Sequence, residues 1–159
     1  MDLFGKLKGM KILLIDDDEW IRDSLSIYFE ARGCSLKVLE TAEEAMKTLK
    51  KQDYDYEIII TDYRLPGMDG LEFLKRIQDS HPNAMKILIT AYSSEDVVSK
   101  AIRIGINDFI DKPFTTKTIE DSLSLLLENR ERNTSLMSSI EKNDRRDKEG
   151  MIPLDKYTT

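Results

Sequence analysis

Short, continuously apolar runs alternate along the chain with stretches in which apolar residues recur every three or four positions. The runs Lys11–Ile15, Ser35–Leu39, Glu57–Thr61, Lys86–Thr90 and Asp108–Asp111 read as five strands, several of them too uniformly apolar to keep a solvent face. Strands buried on both faces need helices on both sides. Five stripes supply them: Ile21, Leu25, Tyr28 and Phe29; Ala42, Ala45, Met46 and Leu49; Leu71, Leu74 and Ile77; Val97, Val98, Ala101 and Ile102; Ile119, Leu123, Leu126 and Leu127. Each has the spacing that gathers side chains on one helix face. The punctuation agrees: Thr41 and Glu44 have capping-box spacing, Gly33 and Gly105 follow stripes, and Pro82 closes the third.

Strict alternation with short connections predicts an α/β fold with a parallel sheet and right-handed crossovers. The expected architecture is flavodoxin-like, a doubly wound (βα)5 five-stranded parallel sheet in the order 2-1-3-4-5, with any ligand site at the carboxyl ends of the strands. Residues 10–130 would form this domain, preceded by a short leader, 1–9. After about Arg130 the chain turns polar, and 131–159 reads as a tail too short for a second core. In that tail Leu136, Met137 and Ile140 would extend the last helix, and Asp144 to Thr159 would be disordered.

Charge narrows the partners. The 159 residues carry a formal charge of −6 and no basic stripe; from Glu128 onward acidic and basic residues balance. The chain is therefore expected to touch neither nucleic acid nor anionic lipid directly. Met1 to Met10 lacks the apolar stretch of a signal peptide, and no run approaches the ~20 apolar residues of a membrane span. A cytoplasmic protein acting on other proteins is the expectation. Cys34, the only cysteine, excludes an internal disulfide and a cysteine-rich zinc site and reads as a buried or half-buried thiol.

The candidate chemistry sits where strands end. Asp16, Asp17 and Asp18 follow the first strand and Asp62 follows the third, so the predicted topology gathers carboxylates at one sheet edge. Packed carboxylates repel and raise one another's pKa unless a cation joins them, and a hard divalent ion such as Mg²⁺ suits all-oxygen donors. An acidic pair alone would be read as a helix cap beside a solvated loop. Three further features make that insufficient: the turn-rich loop Asp62–Gly70 leading into a helix, Thr90–Ala91 at the end of the fourth strand, and Lys112-Pro113-Phe114 at the end of the fifth.

This ordered set resembles the receiver domain of bacterial two-component response regulators, over roughly residues 10 to 130. The resemblance implies that Asp62 is the phosphoacceptor and that Asp16, Asp17, Asp62 and the backbone carbonyl of Arg64 hold Mg²⁺, with Mn²⁺ able to substitute. It implies that Thr90, the backbone of Ala91 and Lys112 bind the phosphoryl group. Phe109 would follow Thr90 in a switch of the helix 4–strand 5–helix 5 face, and the bond before Pro113 would be cis. Phe109 lacks the phenolic hydroxyl many relatives have there. Arg64 and Tyr92 occupy positions that tune phosphoryl lifetime in the family. Asp18 matches no required position and reads as a cap or surface residue. Trp20 is expected to pack near the acidic pocket, and His81 to be a surface histidine.

On the same resemblance the protein is a phosphoprotein of phosphorelay signal transduction and a phosphoacceptor that assists its own modification rather than an enzyme. Its expected partners are a sensor histidine kinase or phosphotransfer protein upstream, and an effector protein or a second copy downstream. Two alternatives remain: a phosphate relay without output switching, and a haloacid-dehalogenase-like phosphatase, since Asp16-Asp17-Asp18 contains Asp-x-Asp. The phosphatase pattern fails at Trp20, where that family usually has Thr or Val. A flavodoxin-type electron carrier is excluded because three aspartates would repel a flavin phosphate.

Overall fold

A computed structural model describes residues 2–51 and 55–150, the last seven by their backbone alone. The strands are β1 (Ile12–Ile15), β2 (Leu36–Leu39), β3 (Ile58–Asp62), β4 (Met85–Thr90) and β5 (Asp108–Asp111); the helices are α1 (Leu3–Leu7), α2 (Glu19–Glu30), α3 (Ala42–Leu49), α4 (Gly70–Ile77), α5 (Glu95–Ile104) and α6 (Thr116–Gly150). Two compact units divide the chain, Met1–Leu123 and Ser124–Thr159.

In the first unit the strands form one parallel sheet in the order β2-β1-β3-β4-β5, as the alternation predicts. Every residue of β1, β3 and β4 is buried, whereas β2 and β5, at the edges, are partly exposed. That contrast is why the inner runs are mostly apolar, with their polar residues Thr61, Asp62, Lys86 and Thr90 near strand ends. Leu13, Ile15, Ile59 and Leu88 belong to one core cluster with Ala42, Ala45, Phe73, Leu74 and Ala101, so α3, α4 and α5 cover that face. Burying a side chain such as Phe73 stabilises the fold by about 2–3 kcal/mol. Ile12, Leu14, Ile58, Ile60, Ile87 and Ile110, of opposite parity, are equally buried. Their face is left to α2 and the first turns of α6, which the Tyr28–Glu120 hydrogen bond joins.

The helix starts follow the capping residues: Asp18, Thr41, Asp69 and Ser94 each accept a backbone N–H in the first turn of α2, α3, α4 and α5. The expected leader is not featureless. Leu3–Leu7 is helical, Leu7 is fully buried, and Phe4 packs edge-on against Tyr28 and Phe29 of α2. The rings that Phe4 packs against lie on α2, which a local pattern cannot show. The five expected helices are therefore α2 to α6, and the expected output face is α5, β5 and the start of α6.

In the second unit α6 continues as helix to Gly150, past Asp144, where the sequence pattern predicted disorder; that expectation for 151–159 lies outside the described residues. Leu136, Met137 and Ile140 lie on this helix and are exposed. Among the described residues no helix is long and apolar enough to cross a membrane.

Candidate functional site

Three consecutive aspartates leave β1 and take three different places. Asp16 continues the sheet, its N–H donating to Leu39 O at 3.1 Å, and is fully buried. Its Oδ1 accepts the Asp18 N–H at 2.9 Å, and the Arg22 guanidinium donates to its carbonyl at 2.7 Å. Asp17 is exposed. Asp18 caps α2, accepting from the N–H groups of Trp20 and Ile21, the role expected for a residue outside the site. Trp20 lies near the acidic cluster as expected, lining a groove with Lys112, but is not packed there: the residue is 76% exposed. Ile21 and Leu25 hold the inward stripe of α2, which turns the neighbouring position outward.

At the end of β3, Asp62 is 6% exposed, and its carbonyl accepts the Thr61 hydroxyl at 3.0 Å. A Cβ at Gly70 would lie 2.0 Å from that carbonyl oxygen. Only glycine lets the start of α4 approach so closely. The Gly70 N–H closes the intervening loop onto Tyr63 O at 2.8 Å. From β5, Lys112 N donates to Thr90 O at 2.8 Å, and the Lys112–Pro113 bond is cis. The Lys112 ammonium donates to Asp62 Oδ2 at 3.0 Å and to Asp16 Oδ2 at 3.3 Å.

Register explains this convergence. Ile15 pairs with Thr61, Asp62 with Ile89 and Ile89 with Ile110; paired residues point to the same face and alternate residues share it. Asp16, Asp62 and Lys112 thus meet on one side of the sheet edge. Thr90 pairs with Asp111, and Leu88 with Phe109, which puts Thr90 and Phe109 together on the other side. Thr90 is buried, with its Oγ1 accepting the Tyr92 N–H at 2.8 Å, and Phe109 packs half-buried against the core. Ala91, exposed, follows Thr90.

Carboxylate oxygens of Asp16, Asp17 and Asp62 lie within 4.8 Å of one another, near the ~4.2 Å that opposite ligands of one Mg²⁺ span. Burial pushes the Asp16 and Asp62 carboxyls above the ordinary carboxylate range, against the hydrogen bonds that favour their charge. Burial alone would lower the Lys112 ammonium; the Asp62 hydrogen bond and the two negative charges raise it instead. One ammonium facing three carboxylates leaves a deficit that a divalent cation matches in charge and donor type.

The family model for the response regulator receiver domain matches residues 12–124. The chain belongs to this family. It is 32% identical over 124 residues to a chemotaxis protein CheY-3 of Vibrio cholerae, covering 76% of this chain and 94% of that one. It is 28% identical over 121 residues to a cyclic di-GMP phosphodiesterase of Thermotoga maritima, covering 76% of this chain and 32% of that one. The signal receiver domain of an HD domain-containing protein from Pseudomonas fluorescens Pf-5 matches with a TM-score of 0.70 at 27% identity, over 77% of this chain and 98% of that domain. The chain spans less than a third of the length of the first curated relatives it matches.

Two receiver residues with roles in the site's architecture escaped sequence reasoning. Arg22 looks like any charged helix residue, yet it anchors the Asp16 carbonyl. Glu43, in the first turn of α3, accepts the Met68 N–H across a gap of 25 residues. Only the tertiary fold reveals either partner. The structure also adds a contact between the two positions that the resemblance links to phosphoryl lifetime: the Arg64 guanidinium lies 3.8 Å from the centroid of the Tyr92 ring, a cation–π distance.

Proposed function

We propose that Asp62 of this receiver domain accepts a phosphoryl group from a histidine kinase or phosphotransfer protein and that the change is read out on the α5–β5–α6 face. The observation that carries it is the Lys112 ammonium held between Asp62 and Asp16 beside Asp17. A carboxylate oxygen of Asp62 attacks phosphorus in line, forming an O–P bond as the bond to the donor's imidazole nitrogen breaks. Asp16, Asp17, Asp62 and the Arg64 carbonyl would hold Mg²⁺ or Mn²⁺, which when bound supplies positive charge against the phosphoryl oxygens. Lys112, freed from the Asp62 carboxylate, pairs with a phosphoryl oxygen.

Thr90 and the Ala91 N–H then donate to the new group. Moving the Thr90 hydroxyl breaks its bond to the Tyr92 N–H, and Phe109, on the same side of the sheet, follows. Such a local charge change shifts a two-state equilibrium by its differential interaction with the two states. A groove of about 570 Å³ lined by Trp20, Ile21, Leu25, Lys112, Pro113 and Phe114 opens beside the site; its apolar lining supports docking of the phosphoryl donor there. The protein acts in the cytoplasm as a phosphoacceptor rather than as an enzyme on a separate substrate, and its output goes to an effector protein or a second copy.

Acetyl phosphate tests this directly. Labelling should require Mg²⁺ or Mn²⁺ and vanish in Asp62→Asn. Labelling that persists in excess chelator, or that is lost with Asp16→Asn but kept in Asp62→Asn, would overturn it.

A further inference from the structure

The geometry points to Glu43 as a positioning residue that holds the loop carrying the Arg64 carbonyl, through its hydrogen bond to Met68 N–H, so that the metal-binding arrangement is formed before the cation arrives. This rests on the metal site proposed above and extends it to a residue on another helix.

The loop after Asp62 is fixed near its two ends. Tyr63 N donates to Ile89 O and Tyr63 O accepts from Gly70 N, both at 2.8 Å, while Asp69 Oδ1 accepts from Glu72 N. Arg64 to Met68 lies between these anchors. Among the described residues, the one backbone hydrogen bond from this stretch to another element is Met68 N to Glu43 Oε1, at 2.8 Å.

The local backbone is shaped to make it. Gly67 has φ +75, a left-handed turn that presents the next N–H toward α3. A Cβ at Gly67 would lie 2.6 Å from Glu43 Oε1, so loop and carboxylate are in direct apposition. The Met68 N–H in turn holds the Glu43 carboxyl below its usual range. Glu43 itself is held at the start of α3, whose cap is the Thr41 hydroxyl accepting from Glu44 N at 3.1 Å. Its main chain thus belongs to the helix and not to the loop. A carbonyl ligand has no rotamer of its own, so its direction is set by the backbone around it. Fixing Met68 limits the conformations open to Arg64, and the ordering cost of metal binding falls accordingly.

The test uses the full chain and Mn²⁺ alone, with binding followed by electron paramagnetic resonance. Glu43→Ala should weaken Mn²⁺ binding by about tenfold, the lower end of losses from outer-shell changes. In the metal-free protein it should speed exchange of the Met68 amide while leaving the thermal midpoint in chelator near that of the unmodified chain. Glu43→Gln keeps an acceptor oxygen and should restore both Mn²⁺ affinity and Met68 protection. Asp17→Asn, run alongside, separates the two levels of inference. Unchanged Mn²⁺ affinity in Glu43→Ala, with binding lost in Asp17→Asn, overturns the role of Glu43 and leaves the metal site standing. Equal losses in Glu43→Ala and Glu43→Gln would make charge rather than the hydrogen bond responsible and also overturn it. If Asp17→Asn binds Mn²⁺ normally, the metal site itself fails and this inference with it.

Discussion

Both ends of the sheet bury ionisable groups. At the amino end Lys86, in β4, is 3% exposed, and its ammonium donates to the carbonyls of His81 at 2.8 Å and Ala84 at 3.1 Å. Its main chain is tied to Asn107, whose Oδ1 accepts the Lys86 N–H and whose N–H donates to Lys86 O. Burial lowers the pKa of this lysine, yet the carbonyls around it satisfy the charged form. At the carboxyl end Lys112 meets more negative charge than it can balance, and Asp17 opens the cluster to solvent. Burial of charge is common to the two ends. Imbalance and access distinguish the end proposed to bind a cation and a phosphoryl group from the end where the buried charge is matched by carbonyls.

The sharpest test of that contrast is a pair of substitutions. Asp62→Asn should abolish labelling by acetyl phosphate while leaving the fold at least as stable, because one of three mutually repelling carboxylates is neutralised. Loss of folding instead would mean that the carboxyl end is structural too. Gly70→Ala should cost about 3 kcal/mol in urea unfolding, since the new methyl group would meet the Asp62 carbonyl oxygen at 2.0 Å. Near-neutral behaviour there would show that the start of α4 gives way easily and does not define the position of Asp62.

Lys86→Met tests the other end. It keeps the apolar stem and removes the ammonium from two carbonyls, so stability should fall by about 2 kcal/mol, with the rate of acetyl phosphate labelling unchanged. A labelling defect without a stability defect would erase the distinction between the two ends.

The smallest effect is a dependence on pH. Asp16 and Asp62 have raised pKa values in the folded, metal-free chain, so between the unfolded carboxylate range near ~4 and their raised values the folded state holds protons that the unfolded state has released. Stability in chelator should therefore fall as pH rises through that window, and saturating Mg²⁺ should offset the fall. Urea titrations at a series of pH values, with chelator and with Mg²⁺, measure both slopes. A metal-free slope of opposite sign would mean that Lys112 compensates both carboxylates.

Most of the frame was legible because its signals are local. The apolar stretches of β1, β3 and β4 differ from the less apolar edge strands, because a side chain in a sheet covered on both faces is apolar unless, like Lys86, it finds polar partners. The strand-end residues Asp16, Asp17, Asp62, Thr90 and Lys112 were legible for a related reason: parallel order alone places them at one edge, whatever the packing details. Asp18 as a helix cap followed from its place just before the α2 stripe.

What only the tertiary structure decided are relations between residues distant in sequence. Phe4 and Leu7 lie in a leader whose pattern is too short to carry a helix by itself, and α1 depends on Tyr28 and Phe29 for burial. Trp20 faces outward because the phase of α2 gives the inward positions to Ile21 and Leu25. The pairing of Lys86 with carbonyl oxygens, the apposition of Glu43 and Met68 across 25 residues, and the Arg64–Tyr92 stack depend on ångström-scale placement of separate elements. Periodicity specifies which face of an element is buried; it carries no information on which polar atom of another element will lie within hydrogen-bonding reach, since that is set by how all the buried faces pack at once.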